Sequence, residues 1–179
     1  EEVGSNTKQG AMSTFLKDVL HRINNGLHKT EEEYYQAIAK TFLVSCDNAH
    51  ALHPNHPEKT DAVNYVTMNG GIVIKESANQ KYTTDAFSRA LFTGVCQNVN
   101  VPVQSFANRS DSVGGSTLGN LSNTQVSIHA VDFGLAQLAM HSCFETAGVK
   151  DTEYAIIALK EFYETNVQID EAESVCLEK

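Results

Sequence analysis

A histidine-rich loop near residue 50 offers several side chains that can bind a ligand. Residues 42–44 are apolar and partly β-branched, which predicts a short buried strand, and Asp47 lies at its carboxyl end. Three histidines follow at three-residue spacing: His50, His53 and His56. Pro54 and Pro57 interrupt any regular helix here, so only His50 is placed beside the aspartate. Ligands of open α/β sheets gather at the carboxyl ends of strands, which makes this loop the first candidate site. A solvated loop with a turn-capping aspartate explains any one of these residues by itself.

Composition excludes several classes of function. A chain of 179 residues with 41% hydrophobic residues can form one domain with a buried core. Its net charge of -9 argues against nucleic acid as a partner. No apolar run approaches the ~20 residues that span a bilayer, so a membrane is not an expected partner either. Four widely spaced cysteines show neither CxxC pairs nor a Cys/His zinc spacing, which favours a reducing, cytoplasmic setting over a disulfide framework.

Helical periodicity identifies the elements around the loop. Apolar residues from Met12 to Ile23 recur at helical spacing, and Asn24-Asn25-Gly26 predicts the end of that helix. Thr30 followed by Glu33 predicts a capping box at the start of a second helix. Two further helices are predicted, one capped by Thr83 or Thr84 with Phe87, Leu91 and Val95 on its apolar face, and one capped by Asp151.

Short apolar runs predict strands between these helices. Residues 71–75, GIVIK, form a run that ends on a lysine, and similar runs occupy 101–106 and 126–133. Strands that alternate with helices are typical of an α/β fold. We therefore predict one mixed β-sheet flanked by helices. Past Val167 the acidic end of the chain is expected to fray.

A glycine- and hydroxyl-rich segment, NRSDSVGGSTLGN, spans residues 108–120. Backbone amides in such a loop can bind a phosphate or a carboxylate. The segment has neither the lysine of a Walker loop nor the GxGxxG spacing. A phosphate-binding function that uses Gly114-Gly115-Ser116 and a plain flexible turn both remain open.

Five short strings of this sequence resemble, in the same order, motifs of the aspartyl aminopeptidase family of dinuclear zinc metallo-aminopeptidases. The strings are EEVGS at 1–5, SCDNAHALHPN at 45–55, GIVIK at 71–75, GSTLG at 115–119 and QLAMHS at 137–142. The resemblance runs from Glu1 to about Thr165. It implies a zinc-exopeptidase-like, three-layer α/β/α fold that is incomplete here, with residues 1–167 as the carboxyl-terminal portion of the catalytic domain and 168–179 as an acidic tail.

The resemblance also implies a role for each matched residue. Glu1 would be the catalytic general base. Three residues would be ligands of Zn²⁺, with two ions in each complete active site: Glu2, Asp47 and His141. Three more would contact substrate: His50, Lys75 and Tyr82. The expected reaction removes an amino-terminal residue, Asp or Glu, from peptide substrates, and the expected full-length protein is a cytoplasmic homo-oligomer.

The family pattern also requires a histidine and a bridging aspartate before the EEVGS string, where this sequence begins. We therefore interpret the chain as a fragment that binds zinc weakly and is inactive alone. Phe144 stands where the family often has an arginine. The alternative from another class is a non-catalytic α/β binding or assembly module without metal. In that case Glu1 and Glu2 are solvated charges, His141 is a core histidine and Lys75 is a surface charge.

Overall fold

Short strands and five helices make up the computed structural model, which describes residues 4–170 and 174–178. The helices are α1 (Phe15–Gly26), α2 (Glu31–Ala39), α3 (Ala86–Asn98), α4 (Leu118–Ser122) and α5 (Val149–Glu164). The strands are β1 (Phe42–Cys46), β2 (Ala49–His50), β3 (Ile72–Lys75), β4 (Val103–Phe106), β5 (His129–Gly134), β6 (Ala136–Leu138), β7 (Thr146–Ala147), β8 (Asn166–Ile169) and β9 (Val175–Glu178). Within the described ranges no helix is long and apolar enough to cross a membrane.

The main sheet is mixed and has the strand order β1-β5-β3-β4. β1 is parallel to β5 and β3 is parallel to β4, whereas β3 and β5 are antiparallel. A smaller sheet has the order β2-β6-β7. In sequence β2 follows β1 and β6 follows β5, and β2 and β6 are parallel. The predicted mixed sheet flanked by helices is therefore confirmed.

Alternation along β3 divides the core between the two faces of the main sheet. Ile72 and Ile74 point to one face, where α3 and α5 cover them and Phe92 lies 5.0 Å from Phe133 between ring centroids. Val73 points to the opposite face. α4 contacts β1 and β5 on this second face, which also carries the loops that form the candidate site.

The two predicted caps next to the sheet were wrong, for tertiary reasons. Asp85, not Thr83 or Thr84, caps α3, and its carboxylate accepts the N–H of Ser88 at 2.8 Å. Asp151 does not cap α5, which begins two residues earlier. Its buried carboxylate instead accepts the N–H of Asn69 at 2.6 Å and of Gly71 at 2.9 Å. Thr83, Thr84 and Asp151 are each hydrogen-bonded to a segment that is distant in sequence instead of capping the nearby helix.

Of four other expectations, one was met in full and three only in part. The capping box of Thr30 and Glu33 is present at the start of α2. α1 has the predicted amphipathic pattern, but its apolar residues are largely exposed, with Phe15 63% and Ile23 54% accessible. β1 lies at the sheet edge and is only partly buried. The chain end expected to fray contains β8 and β9, which pair antiparallel within its described residues.

The cysteines differ sharply in accessibility, and all four are free thiols. Cys96 is fully buried in the core, and burial raises the pKa of its thiol to about 12. At pH 8 only roughly one Cys96 thiol in 10⁴ is ionised, because this pH lies four units below the pKa of the thiol. We expect iodoacetamide to label exposed Cys143 and Cys176 in the native chain and to label Cys96 only after denaturation, as measured by mass spectrometry. Equal labelling rates for Cys96, Cys143 and Cys176 would contradict the burial of Cys96 in the core.

Candidate active site

A cavity of about 610 Å³ lies at the carboxyl ends of β1 and β3. All five predicted site residues that fall within the described part of the chain line it: Asp47, His50, Lys75, Tyr82 and His141. They come from four segments of the chain, up to 94 residues apart between Asp47 and His141. The predicted convergence of side chains in one place is therefore observed, whatever their roles.

Two larger grooves are weaker candidates, because their charged groups are already paired. One, of about 750 Å³, is lined by Glu76 and Arg89, which form an ion pair with each other. The other, of about 720 Å³, contains Arg109, whose guanidinium lies 2.6 Å from the carboxylate of Asp111. Among the described residues that line these two grooves there is no histidine or cysteine. The cavity that contains Asp47, His50 and His141 is therefore the stronger candidate.

Lys75 lies beneath the cavity and holds the loop that carries Asp47. The lysine side chain is 5% exposed, and its Nζ donates to the carbonyl oxygens of Asn48 at 3.0 Å and Asp47 at 3.3 Å. The same ammonium lies 3.5 Å from Asp47 Oδ2 and 4.8 Å from the ring centroid of Tyr82. Burial lowers the pKa of Lys75, while the carboxylates of Asp47 and Asp132 oppose that shift. A lysine with these contacts fixes the position of the aspartate as well as facing the cavity.

Asn48 joins the Asp47 loop to the segment that leads to His141. Its Oδ1 accepts the N–H of Leu135 at 2.9 Å, and its Nδ2 donates to Gln137 Oε1. Gly134 permits this close approach, because a Cβ there would overlap the backbone carbonyl of Asp47. Two segments far apart in sequence are thereby held in register beside each other.

His141 is presented by a tight turn that follows β6. Ala139 and His141 both adopt the left-handed conformation, with φ of 56° and 67°. The N–H of His141 donates to the carboxylate of Glu145 at 2.6 Å, which compensates for this strained backbone. Desolvation lowers the pKa of His50, and the nearby ammonium of Lys75 lowers it further. His50 is therefore favoured in its neutral form, which can accept a hydrogen bond or bind a metal.

The donors present fit part of a zinc site. Asp47 and His141 supply a carboxylate and an imidazole, two of the ligand types that zinc takes. Within residues 4–170 and 174–178, no three His, Cys, Asp or Glu side chains form a group that could hold a metal ion. Glu1 and Glu2, the predicted base and third ligand, lie outside the described residues. Gly4 and Ser5, which follow them closely in sequence, line the same cavity.

One residue of the site escaped the sequence-based prediction, and one segment that the sequence had singled out lines the cavity. Asn108 lies just past β4, and its Nδ2 donates to the hydroxyl of Tyr82 at 2.7 Å. Its position after a strand was the signal that could have identified it. Residues 114–118 of the glycine-rich segment form a wall of the same cavity. The segment, for which the sequence left a phosphate site and a plain turn open, therefore forms part of the candidate active site.

Comparison with known proteins places this site in a family. Residues 1–163 match the family model described as Aminopeptidase I zinc metalloprotease (M18). The chain is 48% identical over 163 residues to "Probable M18 family aminopeptidase 2" of Clostridium novyi (strain NT), with 91% of this chain and 38% of that protein covered. It is 42% identical over 171 residues to "Aspartyl aminopeptidase 1" of Schizosaccharomyces pombe (strain 972 / ATCC 24843), with 96% of this chain and 36% of that protein covered.

Solved structures have the same fold. A chain in the cryo-EM structure of the Ape4 and Nbr1 complex superposes with a TM-score of 0.86 at 42% identity, covering 92% of this chain and 31% of that chain. The S. cerevisiae mApe1 dodecamer superposes with a TM-score of 0.76 at 27% identity, covering 92% of this chain and 36% of that one. The chain spans little more than a third of the curated relatives it matches. The family resemblance is confirmed, and the chain belongs to the Aminopeptidase I zinc metalloprotease (M18) family.

Proposed function

We propose that this chain supplies part of the active site of a zinc-dependent aminopeptidase that removes an acidic amino-terminal residue from peptides. The observation that carries the proposal is the convergence of Asp47, His50, Lys75, Tyr82 and His141 on one cavity. Membership of a zinc metalloprotease family supports the metal, and the aspartyl aminopeptidase among the relatives supports an acidic preference.

The metal would be held by Glu2, Asp47 and His141, with two ions in a complete site. When bound, zinc acts as a Lewis acid on the scissile carbonyl and on water. Glu1 accepts the proton of the attacking water and passes it to the leaving amine. The ammonium of Lys75 orients Asp47 through that residue's backbone carbonyl.

The ligand set in this sequence is incomplete, because the family resemblance calls for a further histidine and a bridging aspartate. Three donors that lack the bridging carboxylate cannot hold two ions together. We therefore expect the 179-residue chain alone to bind zinc weakly and to leave peptides intact. Residues 1–167 would form part of the catalytic domain, with 168–179 as an acidic tail.

The function is tested in the complete protein that carries this sequence. With Zn²⁺ present, a peptide with amino-terminal Asp should lose that residue, as detected by mass spectrometry, and a chelator should stop the reaction. The same peptide with an acetylated amino terminus is the matched control and should remain intact. Failure to cleave any peptide with a free amino terminus in the presence of Zn²⁺ would overturn the proposal. It would favour the non-catalytic binding or assembly module, for which we would also expect no bound zinc.

Lys75 would set the preference for acidic residues. Changing Lys75→Met removes a buried ammonium that can attract a substrate carboxylate, a contact worth about 1.5–3 kcal/mol. We expect kcat/KM for an aspartyl anilide to fall at least about tenfold relative to a leucyl anilide. Lys160→Met is the control, because Lys160 is exposed on α5 and pairs with Glu164. An unchanged aspartyl-to-leucyl ratio in Lys75→Met would remove Lys75 from substrate selection.

The complete protein is also proposed to be a cytoplasmic homo-oligomer. A related structure is described as a dodecamer, which supports assembly. Four free thiols are consistent with a reducing compartment.

A further inference from the structure

One buried carboxylate lies behind the cavity without lining it. Asp132 is on β5 and is fully buried. Its Oδ2 accepts the N–H of Thr83 at 2.5 Å and the hydroxyl of Thr117 at 2.7 Å. Its Oδ1 is buried and has no hydrogen-bond partner among residues 4–170 and 174–178. Burying a carboxylate costs free energy unless hydrogen bonds replace its lost hydration. The two hydrogen bonds to Oδ2 replace part of that hydration, and they hold Thr83 and Thr117 in place.

The two donors belong to different walls of the cavity. Thr83 directly follows Tyr82, and Thr117 belongs to the glycine-rich segment; Tyr82 and Thr117 both line the cavity. Thr84 adds a third connection, because its hydroxyl accepts the N–H of Asp132 at 2.9 Å. The two walls are also joined directly, by the N–H of Thr117 to the carbonyl of Lys81 at 3.3 Å. Asp132 is the point on the sheet to which both walls are attached.

We propose that Asp132 is a positioning residue for the aminopeptidase site. It holds the segment with Tyr82 and the segment with Thr117 to the same strand, β5, so that the two walls of the cavity keep a fixed separation. This inference rests on the proposed function, which it extends to a residue that contacts neither metal nor substrate.

Asp151 provides a matched control for a purely structural role. It is also a fully buried carboxylate, and it also accepts two hydrogen bonds, from the N–H groups of Asn69 and Gly71. Neither of those residues lines the cavity. If burial and hydrogen bonding alone matter, Asp132→Asn and Asp151→Asn should have the same effects. If Asp132 positions the site, only Asp132→Asn should alter substrate binding.

The experiment compares the two variants in the complete protein. For Asp132→Asn we expect hydrogen exchange in residues 81–84 and 114–118 to become about tenfold faster, and KM for an aspartyl peptide to rise about tenfold, with kcat and zinc content within about twofold. For Asp151→Asn we expect a lower melting temperature but an unchanged KM and unchanged exchange at those residues. If Asp132→Asn does not fold, Thr117→Val removes one of the two donors and should raise KM in the same direction.

Two results would overturn the inference. One is unchanged exchange in residues 81–84 and 114–118 of Asp132→Asn. The other is an equal rise of KM in the Asp132 and Asp151 variants. A wild-type protein that cleaves no peptide with zinc bound would instead refute the proposed function, and the exchange measurement would then decide by itself whether Asp132 holds the two segments.

Discussion

Replacing Glu1 by glutamine in the complete protein is expected to lower kcat by about 10²- to 10⁴-fold, the usual contribution of a general base. Glutamine has nearly the same shape as glutamate but cannot accept the proton of the attacking water at neutral pH. Zinc content should stay near that of the unaltered protein, because the ligand role is assigned to Glu2. Steady-state kinetics on an aspartyl peptide, together with metal analysis by mass spectrometry, measures both quantities.

The neighbouring residue supplies the matched control. Glu2→Gln removes a proposed ligand, so its loss of activity should be accompanied by a loss of zinc. The pair therefore separates proton transfer from metal binding at adjacent positions. Full activity in Glu1→Gln would exclude Glu1 as the general base. Equal zinc loss in Glu1→Gln and Glu2→Gln would show that the base role and the ligand role are not divided between these two residues as proposed.

Replacing His141 by alanine is expected to weaken zinc binding in the complete protein. Losing a direct ligand should cost at least the roughly 10- to 100-fold in affinity that losing an outer-shell partner costs. Dialysis against a graded series of free zinc concentrations, followed by metal analysis, gives this affinity. Activity should fall in parallel and recover only in part at high zinc.

His53 is the control for this change. It lies in the histidine-rich loop and is exposed, but it does not line the cavity. His53→Ala should therefore leave zinc affinity unchanged. If His141→Ala also binds zinc as the unaltered protein does, His141 is not a ligand and the proposed metal site is wrong.

Much of the local structure followed from the sequence because it depends on neighbouring residues. The capping box at Thr30, the GIVIK strand and the helix that carries Leu91 were each predicted from patterns within one element. Asp47, His50, Lys75, Tyr82 and His141, which the family resemblance assigned to one site, share a cavity, and their individual roles stay predictions. The grouping of these residues came from the order of the five strings that resemble the aminopeptidase family. The rule that ligands bind at the carboxyl ends of strands would by itself have identified only Asp47, Lys75 and their neighbours.

Caps and burial were decided by contacts between distant segments. Thr83 and Thr84 have good cap chemistry, but the hydroxyl of Thr83 accepts from Asn123, 40 residues away, and that of Thr84 accepts from Asp132, 48 residues away. Asp151 has the same chemistry and instead binds backbone amides 80 and 82 residues away. No local pattern can distinguish a cap from such a tertiary partner, because the side chain and its spacing are identical in both cases.

The sequence by itself determined which residues could bind metal and substrate, and which short elements carry them. Only the tertiary structure decided that Lys75 lies beneath Asp47, that Asn108 meets Tyr82 and that Asp132 joins two walls of one cavity. The reason is physical: helix and strand signals arise from interactions over a few residues. The position of a buried charge depends instead on which distant groups can satisfy its hydrogen bonds.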